Sequence, residues 1–162
     1  MKLILLQQVQ YNYWANKKYV EFFEQYPGFL NKEVYSSFKT PGLTLVHIYQ
    51  AQEVWLARLT GKEIDFDALK NYQLKLSDIL FSSQSLVDYV QQLDAMELKK
   101  DIHYQNLMKQ VFTQPAYQII LHTVNHGTYH RGQISLMLKQ LNADNIPSTD
   151  LIRFYDEEYI ED

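Results

Sequence analysis

The chain has 162 residues, 46% of them hydrophobic, and this length and composition suit one globular domain over residues 1–162. Its formal net charge is −4 and its lysines are scattered, which argues against a nucleic-acid partner because phosphate neutralisation drives such binding. There is no cysteine, so disulfides, thiolate metal ligands and a cysteine nucleophile are excluded together.

The first predicted helix is the stretch "LILLQQVQYNYWANKKYVEFFEQY", residues 3–26, which carries apolar residues at helical intervals. It ends at Pro27 and Gly28, two residues that commonly follow a helix. Its initial apolar run soon turns polar and is too short for a signal sequence or a membrane span. We therefore expect a cytoplasmic protein with no membrane partner.

The second predicted helix is "TPGLTLVHIYQAQEVWLARLTG", residues 40–61. Thr40 is a suitable N-cap, Pro41 suits the first helical position and Gly61 suits the C-terminal end. A shorter amphipathic helix, "SSQSLVDYVQQLDAM", is predicted to begin at the serines of residues 82–83. Between it and the next helix, "KKDIHYQNLMKQVF" alternates weakly, which indicates a short extended stretch or a hairpin.

The fourth and longest predicted helix is "TQPAYQIILHTVNHGTYHRGQISLMLKQLNA", residues 113–143, with Thr113 as its cap, Pro115 in its first turn and Asn142 near its end. A short closing helix, "STDLIRFYDEEY", is predicted with Ser148 or Thr149 as its cap. Four long helices with moderate connections predict an all-α four-helix bundle followed by this short C-terminal helix.

Three of the five histidines fall within nine residues of the fourth helix, at His122, His126 and His130. His126 and His130 interrupt an apolar stripe, and His47 interrupts a stripe of the second helix in the same way. A buried imidazole whose nitrogens lack partners costs roughly 1–3 kcal/mol for each unmet group. Stripe histidines on two helices therefore indicate a metal site, although a single one is more often a hydrogen-bonded core residue.

Helical geometry limits which histidines can share one ion. Residues four apart lie about 6 Å apart along the axis and can converge on a metal, whereas residues eight apart lie about 12 Å apart. The fourth helix can thus supply one adjacent pair, with His47 as the third ligand. His122 is left as an ordinary helix residue or a second-sphere contact, and His103 as a surface or loop residue.

The segment "HTVNHGTYHRGQI" resembles the signature of the DinB-like (DinB/YfiT) superfamily. "YNYWANKK" is similar to the Trp-Ala-Asn segment of that family, "HIYQAQEVWLARLTG" to its histidine-bearing second helix, and "PSTDLIRFYDEE" to its usual ending. The resemblance covers nearly the whole chain and is most specific at its His-x-x-x-His-Arg-Gly-Gln core. The family name refers to DNA-damage-inducible expression and says nothing about DNA binding.

The resemblance implies an up-down-down-up four-helix bundle, often a homodimer, that holds one divalent metal through His47, His126 and His130. An all-imidazole ligand set suits zinc or nickel first, and also iron or copper. A di-iron site is disfavoured because Glu53, six residues after His47, points away from it. Gln133, three residues after His130, is a candidate second-sphere residue that would orient an imidazole or a bound water.

The implied activity is less specific than the site, and no catalytic residue besides the metal ligands is identified. Some members of the superfamily are thiol-dependent S-transferases or isomerases, so a small-molecule substrate and a low-molecular-weight thiol are expected. Metal-assisted hydrolysis is the alternative enzymatic activity, because a bound metal can activate water. A non-catalytic scaffold or binding protein with a purely structural ion stays open as well.

Three further residues of the fourth helix are expected to have structural roles. Gly127 and Gly132 lie inside a helix, where each costs about 1 kcal/mol relative to Ala, so close helix approach or a dimer contact is expected there. Arg131 points about 100° away from His130, which favours a structural ion pair or helix contact over substrate binding. Tyr13, Trp14 and Asn16 are expected to lock the first helix more than to line a pocket.

Overall fold

The computed structural model describes residues 1–73, 75–106 and 108–158. Four long helices form a bundle, and two short α-helices, two single-turn 3-10 helices (Pro27–Phe29 and Glu97–Lys99) and one antiparallel hairpin complete the described fold. The long helices are α1 (Lys2–Gln25), α2 (Pro41–Thr60), α4 (Leu76–Gln92) and α5 (Ala116–Gln140). The shorter elements are α3 (Phe66–Lys70), β1 (Asp101–Gln105), β2 (Val111–Pro115) and α6 (Leu151–Glu158).

The order of packing around the bundle differs from the order along the chain. Helix α1 packs mainly against α4 and α5, and α2 packs against the same two helices. Consecutive α1 and α2 therefore lie diagonally opposite each other, which the connection over residues 26–40 is long enough to allow. The predicted four-helix bundle with a short C-terminal helix is confirmed.

The ends of α2 are those that the sequence predicts. The Thr40 side chain accepts a hydrogen bond from the Leu43 backbone amide at 3.1 Å, and Pro41 occupies the first helical position. Gly61 follows the helix with φ +68°, a left-handed conformation that a side chain would strain. Of the two predicted alternatives for the segment before the longest helix, an extended stretch or a hairpin, the structure has the hairpin, with His103 opposite Thr113 in its register.

Two predicted helix starts are wrong. Helix α4 begins at Leu76, six residues before the serines, because Ser82 and Ser83 are buried in the bundle and face polar groups there. Helix α5 begins at Ala116, because residues 111–115 pair with β1 and the Thr113 hydroxyl bonds His103 Nδ1 across the hairpin at 2.8 Å. Thr113 is therefore not a helix cap.

The closing helix also begins later than predicted. Helix α6 starts at Leu151, so Ser148 and Thr149 lie before it, and the Asp150 carbonyl accepts the Arg153 amide at 2.9 Å. The predicted end at Tyr159 lies outside the described residues. Among the residues that the structure describes, no helix is both long and apolar enough to cross a membrane.

The interior consists of two apolar clusters separated by a polar layer. One cluster joins the N-terminal half of α1 to the start of α5, and the other joins the C-terminal half of α1 to the end of α5. The layer between them crosses all four long helices and includes Asn12, Asn16, Gln52, Ser83 and Arg131. Because buried polar groups need partners, this layer fixes the axial register of the helices.

Candidate metal centre

Three imidazoles from two helices converge at the centre of the α2–α5 interface. His47 comes from α2, and His126 and His130 come from successive turns of α5. The His126 Nε2 atom lies 3.1 Å from His47 Nε2 and 3.1 Å from His130 Nε2. The three candidate ligand atoms all lie within 4.8 Å of one another.

Hydrogen bonds among the rings cannot satisfy this arrangement. A ring nitrogen has one in-plane site, which holds either a proton or a lone pair. The Nε2 atom of His126 faces two other Nε2 atoms, so at most one of these two contacts can be a hydrogen bond. A cation that accepts three lone pairs resolves the conflict, because each nitrogen then points at the ion.

The separations suit a small divalent ion. Two imidazole nitrogens bound at 2.0–2.1 Å in tetrahedral geometry lie about 3.3–3.4 Å apart. The two pairs that His126 forms, at 3.1 Å, are within a few tenths of an ångström of that value, and all three atoms lie within 4.8 Å of one another. The three-imidazole donor set and these two separations are therefore consistent with a site for one divalent metal ion.

Gln133 fixes the tautomer of His130. Its Oε1 atom lies 2.7 Å from His130 Nδ1, and because an amide oxygen only accepts, the Nδ1 atom must carry the proton. The neutral ring then presents the lone pair of Nε2 to the cluster. This contact is the kind by which a second-sphere residue orients a metal-binding histidine.

The surroundings keep two of the rings neutral. Burial, followed by the charges of His130 and His47, lowers the pKa of His126 to about 3. Burial, and then His130, also lowers the pKa of His47 below its usual value. Metal ligation requires the neutral form of imidazole, so both shifts favour a binding-competent state near neutral pH.

Phe38 covers the cluster from the connection between α1 and α2. Its ring stacks on His47 with centroids 4.5 Å apart and meets His130 edge-on at 5.5 Å. It shields these two imidazoles on one side and restricts their rotation. The sequence gives no signal for this contact, since Phe38 lies in an irregular segment with no periodicity.

The other two histidines lie outside the cluster. His122 is exposed one turn before His126, with ring centroids 6.0 Å apart, and it packs edge-on against Trp55 at 4.9 Å. Burial, and then the charge of Arg58, lowers the pKa of His122. His103 is exposed on β1, where its Nδ1 atom forms a hydrogen bond with Thr113 Oγ1.

The α2 face that carries His47 is not a buried stripe. Leu43 is 51% exposed, and His47, Ala51 and Val54 are only partly buried. This face instead borders a cavity of about 560 Å³, which extends from His47 towards α3 and the tip of the hairpin. The sequence identified His47 as a candidate ligand, but the argument that His47 interrupts a core stripe was wrong.

Arg58, eleven residues after His47, lies on the same face of α2. The sequence analysis missed it, although its spacing from His47 signals it.

Arg131 is buried beside the cluster, and within the described part of the chain it has no carboxylate partner. It is 1% exposed and donates from NH1 to Asn12 Oδ1 and Asn16 Oδ1, each at 2.8 Å, and from NH2 to Thr128 Oγ1. Burial lowers its pKa. Of the two expected alternatives, the helix contact is present, and no ion pair of Arg131 is found among the described residues. Asn16 locks α1 as expected.

The two glycines of α5 differ in what surrounds them. A Cβ atom at Gly127 would lie 2.7 Å from Asn12 Oδ1 and 2.8 Å from Arg131 NH1, so this glycine makes room for the buried guanidinium. A Cβ atom at Gly132 would meet nothing within 4 Å. Close approach within the chain therefore explains Gly127 but not Gly132.

Fold and site together define a mostly helical bundle protein with a three-histidine cluster that can hold a metal ion. The sequence profile of the DinB family matches residues 1–161, and the chain belongs to this family. It is 27% identical over 151 residues to "Protein DinB" of Bacillus subtilis (strain 168), a match that covers 86% of this chain and 87% of that protein.

A solved structure is similar in fold. The crystal structure of a DinB-like protein from Bacillus cereus ATCC 10987 superposes with a TM-score of 0.65 and 18% sequence identity. The superposition covers 89% of this chain and 94% of the other. The predicted family and the predicted DinB-like fold are thereby confirmed.

Proposed function

We propose that this protein is a metal-dependent enzyme in which His47, His126 and His130 bind one divalent ion. The observation that carries the proposal is the convergence of three Nε2 atoms, which hydrogen bonding among the rings cannot satisfy. Zinc or nickel suits three imidazoles best, and iron or copper is compatible with them. Three protein ligands leave at least one coordination position for an exogenous group, as catalytic zinc sites do.

The reaction that we propose is transfer of a low-molecular-weight thiol to an electrophilic carbon of a small organic substrate. The thiol loses its S–H proton, a C–S bond forms, and the bond from that carbon to a leaving group breaks, so that the leaving group departs with the electron pair. A divalent ion bound here would lower the pKa of a coordinated thiol and so supply a thiolate. The chain provides the setting: neutral imidazoles leave the charge of the ion uncompensated, and Phe38 shields one side of the cluster. The neighbouring cavity, at about 560 Å³, is large enough for a small-molecule substrate.

The first prediction concerns metal content. Purified protein should contain about one divalent ion per chain, and His126→Ala or His130→Ala should abolish it, because two imidazoles bind far more weakly than three. His103→Ala is the matched control and should keep the metal. The measurement is elemental analysis after dialysis. A full complement of metal in His126→Ala would refute the site.

The activity itself is tested by a thiol-transfer screen with metal-depleted and metal-restored protein. Metal-dependent consumption of a thiol and an electrophile supports S-transfer. Metal-dependent hydrolysis without thiol consumption supports metal-assisted water activation instead. A third outcome is that neither reaction occurs and that X-ray absorption spectroscopy at the metal edge shows a fourth ligand from the protein. In that case the ion is structural and the protein is a scaffold or binding module.

The second prediction is a homodimer built on the outward face of α5. Tyr129 and Leu136 are 65% and 58% exposed, and Gly132 lies between them with open space above it. Such a face allows another helix to approach closely. Light scattering should give about twice the monomer mass of 19.3 kDa, and Leu136→Glu should reduce it to the monomer value. A monomeric wild-type protein at micromolar concentration would contradict the prediction.

A further inference from the structure

We infer that the cavity beside His47 binds an organic anion with an apolar body, and that Arg58 holds the anionic group. The cavity is bordered by His47 at one point and by Arg58 at another, so it connects the histidine cluster with a cation. The inference rests on the proposed function only in treating this cavity as the substrate site. Anion binding by Arg58 does not itself require the metal.

Arg58 is held in place before any ligand arrives. Its guanidinium lies 4.4 Å from the centroid of the Trp55 ring and 4.5 Å from that of Tyr104, and it donates one hydrogen bond to the Gln105 carbonyl at 3.0 Å. The planar fork of arginine offers five N–H groups, so donors remain for a carboxylate or sulfonate. A cation already immobilised by two rings loses little further entropy on binding.

Among residues 1–73, 75–106 and 108–158, Arg58 has no carboxylate partner of its own. The salt bridges among the described residues join Lys17 to Glu21 and Lys18 to Glu157, and neither involves Arg58. Burial lowers the pKa of Arg58, which reflects incomplete hydration of its charge. A partly desolvated and unpaired guanidinium attracts an anion more strongly than a fully hydrated one does.

The remaining charges at the cavity do not oppose an anion. The exposed side chains of Asp67 and Lys70 both border it, and their opposite charges offset each other. Arg58 therefore leaves the cavity positive, although the whole chain carries a formal charge of −4. A metal ion at the histidine cluster would add further positive charge.

The cavity walls between His47 and Arg58 suit the apolar part of such a ligand. They are formed mainly by hydrophobic side chains from α2, α3 and the hairpin: Ala51, Val54, Phe66, Leu69 and Met108. Eleven residues of helix separate His47 from Arg58 by about 16 Å along the axis and about 20° around it. Helical side chains lean towards the N-terminus, and the stacking of Arg58 on Trp55 shows this direction. His47 and Arg58 therefore lie on the same face of α2, with these walls between them.

The test compares an acid with a neutral molecule of the same shape. Calorimetric titration of the metal-free protein uses 4-phenylbutyrate and 4-phenylbutanol as probes. The acid should bind about tenfold more tightly or better, since a hydrogen bond to a charged group is worth that much. Arg58→Gln should remove this preference, and Arg58→Lys should reduce it because the fork is lost. Val54→Trp, which fills the cavity, should lower the affinity for both probes.

Arg153→Gln is the matched control, because it removes the same charge from the exposed surface of α6 and should leave the preference intact. Equal affinity for acid and alcohol, or a preference that survives in Arg58→Gln, overturns the inference. If circular dichroism shows that Arg58→Gln is unfolded, Arg58→Lys decides, and an unchanged preference in that variant overturns the inference. Stoichiometric metal without any acid preference refutes this inference alone, whereas an acid preference without metal binding refutes the proposed function alone.

Discussion

At the scale of single residues, the site depends on contacts that set the protonation of each ring. His130 is the clearest case, because its Nδ1–H donates a hydrogen bond to Gln133 Oε1 and leaves Nε2 free to bind a metal. His126 is kept neutral by burial and by its histidine neighbours, which bring its pKa to about 3. The cluster therefore presents lone pairs to an incoming ion rather than positive charges that would repel it.

The third prediction follows from the Gln133 contact. Gln133→Met removes the acceptor at similar size, so metal affinity should fall about 10- to 100-fold, as loss of a second-sphere partner typically does. The dissociation constant is measured by competition with a chromophoric chelator. Gln133→Glu keeps an acceptor and should retain the affinity, and Gln140→Met on the exposed side of α5 is the neutral control. Unchanged affinity in Gln133→Met would show that the hydrogen bond has no role in metal binding.

At the scale of elements, α5 carries three different features along its length. It supplies two of the candidate ligands, it buries Arg131 in the polar layer, and it leaves Tyr129 and Leu136 exposed. The buried guanidinium takes its partners from α1 and from α5 itself and so ties the two helices together. Because these contacts lie within one turn of the histidines, helix register and site geometry are set by the same layer.

The fourth prediction compares the two glycines of α5. Gly127→Ala should lower the free energy of unfolding by at least about 1 kcal/mol, because its methyl group would overlap Asn12 and Arg131, both of which are buried. Gly132→Ala meets no atom of its own chain within 4 Å, so in the monomeric Leu136→Glu background it should raise that free energy by up to about 1 kcal/mol through helix propensity. Urea unfolding of the metal-free proteins measures both values. Equal effects of the two substitutions would contradict the packing at Gly127.

At the scale of the whole molecule, a bound ion would join α2 to α5 across the bundle. His47 and His126 are 79 residues apart in the chain and come together only in the folded state. The unfolded chain therefore lacks the site, and binding free energy becomes folding free energy. The polar layer also links α2 and α5, through the hydrogen bonds of Gln52 and Arg131 with Asn12.

The fifth prediction is that metal raises the melting temperature. A metal concentration of about 100 times the dissociation constant stabilises the folded state by about 2.7 kcal/mol, which for a chain of this size corresponds to roughly 5–10 °C. Calorimetry with and without a chelator measures the shift. His126→Ala should show no shift, and His103→Ala should show the full one. A chelator that leaves the wild-type melting temperature unchanged would argue against the site.

The sequence by itself determined the features that depend on neighbouring residues. Apolar periodicity identified the long helices, and Thr40, Pro41 and Gly61 identified the ends of α2, because capping acts over three or four residues. The four-residue interval of His126 and His130 identified the pair on α5, since adjacent turns of one helix place such side chains together. The stripe argument and the family signature added His47, which no local rule connects with that pair.

The tertiary structure alone decided the features that depend on distant partners. Thr113 became part of a strand because β1 pairs with it, and Ser82 and Ser83 lie within α4 because polar groups of other helices meet them. The exposure of the His47 face and the cover provided by Phe38 depend on how separate segments pack. Local patterns record the preferences of a few successive residues, whereas burial and charge pairing depend on which surfaces meet after the chain has folded.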